Sequence, residues 1–508
     1  MKMFLLSGLF LCLLFSCKSK SGNTHSTIAT PHYELSLDLT RLDVVGFDPI
    51  NVTVTLTKDS VGLAGQTLSL TVSKGIVSTV TDMGGGQYSF TVTPSSTGTY
   101  PITVSYSDQT ITRKAVVLDT VETGAGQPMA VPGNFVNTEG YEDGVTVTPD
   151  GEYLFVQYGP FYFQGIISFS SICASGVYSV GYDLNTCQGR TNSFLVFDTI
   201  GPYTSPYRPG FPANNISAGK LVHLNDLILA GVANGLVGFP TVFYGFKRQT
   251  DGSFAEPFKV AFDDEKGVSG PFGLSFKMNG DGTAQFVVAW NNYYNDLGDD
   301  KPDIYSGTLT LRTDKSLGAV TYAANDTFLS ITPSISPVNF SSHAGVQGNP
   351  HLYYNGAGQI ESIWTDDEQV SLDLSVYRLT SGTFPSGTWG LDTLPTVINT
   401  GAEETQPFFS GTKLYFRRGT KIVSHVYTPT NGACGSTYTH NDCWGPEVIV
   451  LGANGNSGLG EINTVGEPTI ATYGGKTYLY FVYVEHRLNS AINGLIDWNL
   501  DAAFVELP

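Results

Sequence analysis

Apolar and polar residues alternate in short runs along most of this chain. Between residues 31 and 120 the runs are Val52-Val54-Leu56, Leu68-Leu70-Val72, Tyr88-Phe90-Val92 and Tyr100-Ile102-Val104-Tyr106. Period-two alternation places the apolar set on one face of an extended strand, so each run predicts a half-buried strand. Lys58-Asp59, Gly75, Gly84-Gly85-Gly86, Pro94-Ser95-Ser96 and Ser107-Asp108 separate the runs as turns. About seven short strands in roughly 90 residues predict two antiparallel sheets packed face to face.

Gly124, Gly126, Pro128 and Pro132-Gly133 mark a boundary, and from residue 130 to 508 a longer phrase recurs. TQPFFSGTKLYF ends at Phe416, and PTIATYGGKTYLYFVYV begins at Pro468. Each has a short apolar strand, a glycine turn and an aromatic-rich strand. VTVTPDGEYLFV carries the same layout, with Pro149-Asp150-Gly151 at its turn. Looser copies are KLVHLNDLILAGV from Lys220, GPFGLSFKMNGDGTAQFVVAW at 270–290 and GNPHLYYNGAGQIESIW at 348–364. Self-similarity at spacings of roughly 50 to 80 residues predicts a solenoid or a propeller. A strand–turn–strand unit is the inner half of a propeller blade, which covers its apolar faces only by stacking on neighbours in a ring. The six copies favour six blades, with five or seven left open. The expected fold is therefore all-β, an immunoglobulin-like sandwich followed by a β-propeller.

The wording of these segments carries two resemblances. DMGGGQYSFTVTPSSTGTYPITVSY resembles the bacterial immunoglobulin-like domains of invasin- and intimin-type surface proteins. It puts Tyr100 where such a sandwich has its tyrosine corner. The repeated phrase of residues 130–508 resembles the WD40-like propeller repeat of TolB-type envelope proteins. The first resemblance implies a spacer or binding module, and the second a disc with ligands at its central channel.

Composition narrows the partners. Against 26 Lys+Arg stand 45 Asp+Glu, a net charge of −19, which repels phosphate backbones and anionic lipid headgroups. Nucleic acid is excluded on this ground, and a membrane contact needs another device. The N-terminus offers one, since Phe4 to Phe15 is an apolar run too short to span a bilayer but long enough for an export signal. Leu14-Phe15-Ser16-Cys17 resembles a bacterial lipobox, which implies a signal peptide at 1–16, acylation of Cys17 and a flexible tether at 17–30. An ordinary cleaved signal is the rival reading. The expected address is the outer membrane, facing the periplasm or the exterior.

Cys173 with Cys187 and Cys434 with Cys443 form two local pairs, read in an exported chain as loop-closing disulfides rather than a zinc site. No GxSxG elbow, P-loop or HExxH occurs in a suitable context. Candidate ligand-binding residues precede the repeated strands: Glu142, Asp143, His351, Glu403, Glu404 and Glu467. Asp143, Glu404 and Glu467 are the set a propeller glycosidase would use as acid, base and third carboxylate. Repeated acids also serve as hydrogen-bond acceptors at blade tops. Asp296, Asp299, Asp300 and Asp303 cluster around Gly298, an oxygen-rich loop suited to Ca²⁺, the one cofactor considered. The function expected is a lipid-anchored envelope protein whose propeller face binds protein or glycan without catalysis. The alternative is a carbohydrate-active hydrolase working through channel-mouth carboxylates.

Overall fold

A computed structural model describes residues 32–39, 48–133, 136–137, 141–159, 193–196, 220–223, 242–260, 272–290, 303–311, 329–331, 334–338, 340, 347–366, 372–430, 434, 437–456, 458–489 and 495–508. The signal, Cys17, the tether, Cys173, Cys187, Asp296, Asp299 and Asp300 lie outside the described residues. The described chain is all-β, apart from one 3₁₀ turn at Asn441–Cys443. None of its helices is long and apolar enough to cross a membrane.

The N-terminal part is a sandwich. One sheet has Tyr33–Leu39, Ile50–Lys58, Gln87–Thr93 and Ile76–Val77 in that order. The facing strands are Ser69–Val72, Gly98–Tyr106 and Gln109–Val117. Inward residues Val52, Val54, Phe90, Tyr100, Ile102 and Val104 are all buried, as the alternation requires. The Tyr100 hydroxyl accepts from the Ser95 and Ser96 amides at 3.0 and 3.1 Å and donates to Ser96 O at 2.7 Å. A tyrosine corner is thus present where the sequence pattern put it.

Among the described residues five sheets follow, antiparallel except for one edge strand. Sheet I has Tyr141–Val147, Tyr153–Gly159, Val242–Arg248 and Phe254–Val260, with Leu329–Ile331 added in parallel at its edge; sheet II has Phe272–Met278, Thr283–Trp290, Asp303–Thr310 and Ile335–Pro337. Sheet III has Gly348–Tyr354, Ile360–Asp366, Leu374–Ser381 and Thr388–Asp392; sheet IV has Glu404–Phe409, Lys413–Arg418, Lys421–Val426 and Val448–Gly452. Sheet V has Ile462–Tyr473, Lys476–Asn489 and Leu495–Glu506. The first strand of each sheet touches the first strand of the next, and that of sheet V touches that of sheet I, so the described sheets close a ring. Of the copy expected at Lys220, only Lys220–His223 lies within the described residues. It pairs with Ser193–Val196 in a separate two-stranded sheet.

The stretch read as a boundary is built into the ring. Thr120–Val121 adds a strand to sheet IV. Met129–Ala130 pairs on one side with Leu495–Glu506 of sheet V and on the other with Gln109–Val117 of the sandwich. One sheet therefore runs from sandwich into ring, and a single apolar cluster holds Val52, Tyr100 and Val117 together with Ile422, Ile462 and Phe481. At the seam a Cβ on Gly98 (φ +123°) would fall 1.7 Å from Gly460 O, so only glycine admits this approach.

Cys434 and Cys443 are joined, as expected, with a Cα–Cα distance of 5.5 Å. The bond does more than close a surface loop. Both cysteines are fully buried among Trp364, Phe409, Tyr427, Tyr438 and Trp444, where sheets III and IV meet.

Candidate functional site

Every first strand of the ring carries the same irregularity. The register shifts near its start, and one residue there has left-handed backbone: Gly144 (φ 60°), Gly273 (59°), Asn349 (40°), Gln406 (58°) and Glu467 (57°). A β-bulge of this kind bends the strand and re-aims its side chains. Glycine adopts the conformation freely, whereas Asn349, Gln406 and Glu467 hold it at a cost of about 1 kcal/mol or more each. Proline follows each of these three, at 350, 407 and 468.

The bulges let each sheet bond to the next around the axis. Thr146 Oγ1 donates to Leu274 O at 2.5 Å, and Leu352 N to Ser275 Oγ at 3.0 Å. His351 Nε2 donates to Phe409 O at 2.9 Å, and Glu467 N to Gln406 Oε1 at 2.9 Å. Gly144 N donates to Glu467 Oε2 at 2.5 Å and Thr469 Oγ1 to Val145 O at 3.1 Å, which joins sheet V to sheet I. The carbonyl at Phe409 fixes the proton of His351 on Nε2, so Nδ1 accepts from the Ser275 hydroxyl at 3.2 Å. Burial pushes His351 down to about 4, and it stays neutral in this network.

These strands enclose an axial cavity of about 280 Å³. Glu467, Gln406, Asn349 and His351 line it with the aromatic rings of Tyr353 and Phe408. At its strand-start end the Asp143 and Glu467 carboxyls lie beside each other across the sheet I–V seam. Burial holds the Glu467 carboxyl well above the ordinary glutamate range, and the charge of Asp143 beside it adds to the effect. Behind Asn349 and Gln406, Asp366 accepts from Asn349 Nδ2 at 3.0 Å and from Gln406 N at 2.7 Å. Its carboxyl is 1% exposed and pushed up to about 6 by burial.

The sequence-predicted residues divide accordingly. Glu467 and His351 both line the axial cavity, and Asp143 stands beside Glu467 without lining it. Glu404 does not line the cavity: it is fully buried, paired with Arg418 Nε at 2.9 Å and bonded by the Thr400 hydroxyl and amide. Glu403 is half exposed and meets Arg417 Nη2 at 3.4 Å. Glu142 is buried, and Asp303 starts a strand of sheet II. Among the described residues no group of three His, Cys, Asp or Glu is placed to hold a metal ion. Gln406 was missed by sequence reasoning, although the repeated X-Pro of Asn349-Pro350, Gln406-Pro407 and Glu467-Pro468 is a signal that points to it.

No family model matches the chain, and no curated protein sequence does. Among solved structures it is similar to an α-L-arabinanase of Cellvibrio cellulosa complexed with arabinohexaose, at 14% identity and TM-score 0.28, covering 51% of this chain and 84% of that one. It is also similar to a GH43 β-xylosidase/α-arabinofuranosidase from a compost microbial metagenome, at 9% identity and TM-score 0.34, covering 75% and 96%. A Bacteroides thetaiotaomicron protein of unknown function is similar over 94% of this chain and 100% of its own, at 10% identity and TM-score 0.28. At such identities and scores the similarity says nothing about ligand or activity.

Proposed function

We propose that the chain is a lipid-anchored envelope protein that binds a protein or glycan, without turning it over, at the strand-start end of a five-bladed propeller. An immunoglobulin-like sandwich carries that propeller. The observation that carries the reading is that Glu467 Oε2 is taken up by the Gly144 amide at 2.5 Å, which sets its carboxyl beside that of Asp143. A glycosidase needs its two carboxyls on either side of the scissile bond, about 5–5.5 Å apart when retaining and about 6.5–9.5 Å when inverting. Two carboxyls set side by side, one of them held by a backbone amide, do not flank a scissile bond. The third candidate, Glu404, is committed to Arg418. Left-handed backbone at Asn349, Gln406 and Glu467 supports a polar face kept at some cost in strain, as binding sites often are.

Immobilised protein is presented with envelope extract and with a panel of oligosaccharides. Capture of a defined partner that weakens at least tenfold in Gln406→Ala supports the reading. Capture of nothing from either source removes it. The raised carboxyl of Glu467 is what favours the hydrolase alternative, since a protonated acid is what leaving-group protonation requires. Release of reducing sugar from a glycan, lost in Glu467→Gln, would decide for that alternative.

A further inference from the structure

Where the sandwich meets the ring, four side chains converge. Thr97 lies just before the strand Gly98–Tyr106 and is 2% exposed. Its hydroxyl donates to Glu461 Oε2, just ahead of the first strand of sheet V. Asn454, just past the last strand of sheet IV, brings its amide Nδ2 to 3.1 Å from the same hydroxyl oxygen. The Asn454 carbonyl Oδ1 accepts from the Asn456 N–H at 3.0 Å. Lys74 Nζ stands 3.6 Å from Glu461 Oε1 and bonds Thr97 O at 2.9 Å and Gly460 O at 2.7 Å. The backbones beneath are locked together, with Thr99 N donating to Gly460 O at 3.1 Å.

A hydroxyl aimed at a carboxylate base, beside an amide whose carbonyl is held by a backbone donor, has the parts of an acyl transfer. We propose that Thr97 and Asn454 join in an ester that fastens the sandwich covalently to the ring. Glu461 takes the Thr97 proton as Oγ1 bonds to Asn454 Cγ, and the carbonyl electron pair moves onto Oδ1 against the Asn456 N–H. The pair then returns, the Cγ–Nδ2 bond breaks, Glu461 passes its proton to the departing nitrogen, and ammonia leaves. Nothing else enters the balance, and the carboxylate is regenerated. Lys74 positions the base through its ion pair. Asn454 is exposed, so the ammonia has a path to solvent.

Mass spectrometry of the purified full chain tests this. The expected product is about 17 Da lighter than the unlinked chain, the mass of one ammonia lost in the substitution. Proteolysis should then yield the Thr97 and Asn454 peptides joined. The joined pair should vanish in Thr97→Ala and in Glu461→Gln, and persist in Thr97→Ser, which keeps the nucleophile and guards against loss through misfolding. Two results overturn the proposal. One is recovery of both peptides unlinked at full mass from folded wild-type protein. The other is an ammonia-loss species that survives in Thr97→Ala, which would be a succinimide at Asn454-Gly455.

Discussion

Replacing Glu404 by alanine separates a structural acid from a functional one. Glu404 is fully buried, and its Oε1 meets Arg418 Nε at 2.9 Å. It also accepts from the Thr400 amide at 3.2 Å and from the Thr400 hydroxyl. Removing one partner of a buried ion pair costs about 3–5 kcal/mol, mostly because the other charge is stranded. Arg418 keeps a contact with Glu447, a bond to Ile398 O at 2.6 Å and the face of Phe416 at 5.0 Å, which argues for the lower end. Losing the Thr400 bonds adds about 1 kcal/mol, for a total near 4 kcal/mol. Glu404→Gln keeps an acceptor oxygen and should cost about half as much. At about 2 °C per kcal/mol for a domain of this size, the melting temperature should fall by roughly 8 °C for alanine and roughly 4 °C for glutamine. Calorimetry with urea titration at constant m-value measures both. An alanine variant as stable as wild type, or one that keeps its stability while losing ligand, would refute the assignment of Glu404 to structure.

Three further outcomes are expected. Arg248 lies between Phe254 at 4.4 Å and Tyr473 at 4.3 Å and donates to Gly151 O and to the Tyr480 hydroxyl, bracing sheet I against sheet V. Arg248→Ala should cost roughly 2–4 kcal/mol in urea unfolding, and Arg248→Lys should recover little, because lysine loses the planar stacking and the fork. Opening Cys434–Cys443 by the double alanine substitution frees a loop of nine residues' separation. Chain entropy sets that loss at about 2.5 kcal/mol, read as a lower urea midpoint. The third concerns pH. His351 has a folded pKa of about 4, below its unfolded value, so its contribution is complete above about pH 6.5 and is lost as pH falls through 4. Asp366, raised to about 6, acts in the opposite sense: its contribution is complete below about pH 4 and is lost as pH rises through 6. The two offset each other in wild type between about pH 4 and 6.5. In His351→Gln the stability relative to wild type should rise on the order of 3 kcal/mol from pH 7 to pH 4, followed by urea midpoints across that range.

The pattern along the chain determined the strands and their faces. Val52, Val54 and Phe90 turn inward because alternation leaves them no other way to leave water. The repeated phrase likewise marked the first two strands of sheets I to V, and the Gly98-Thr99-Tyr100 run marked the corner of the sandwich. Local spacing carries that much, because strand, turn and pleat are settled by neighbours in sequence. Partners were decided elsewhere. Lys220–His223 reads like the start of another sheet, yet pairs with Ser193–Val196, since a pattern records which face is apolar and not which edge receives it. Glu404 and Glu467 occupy nearly the same place in the repeated phrase and have opposite surroundings. One faces Arg418 in a closed core; the other meets Asp143 where the last sheet returns to the first. Thr97 and Asn454 stand more than three hundred residues apart in the chain and 3.1 Å apart in space. Ring closure makes such neighbours, because sheets with uncovered apolar faces must go on stacking until the last one covers the first.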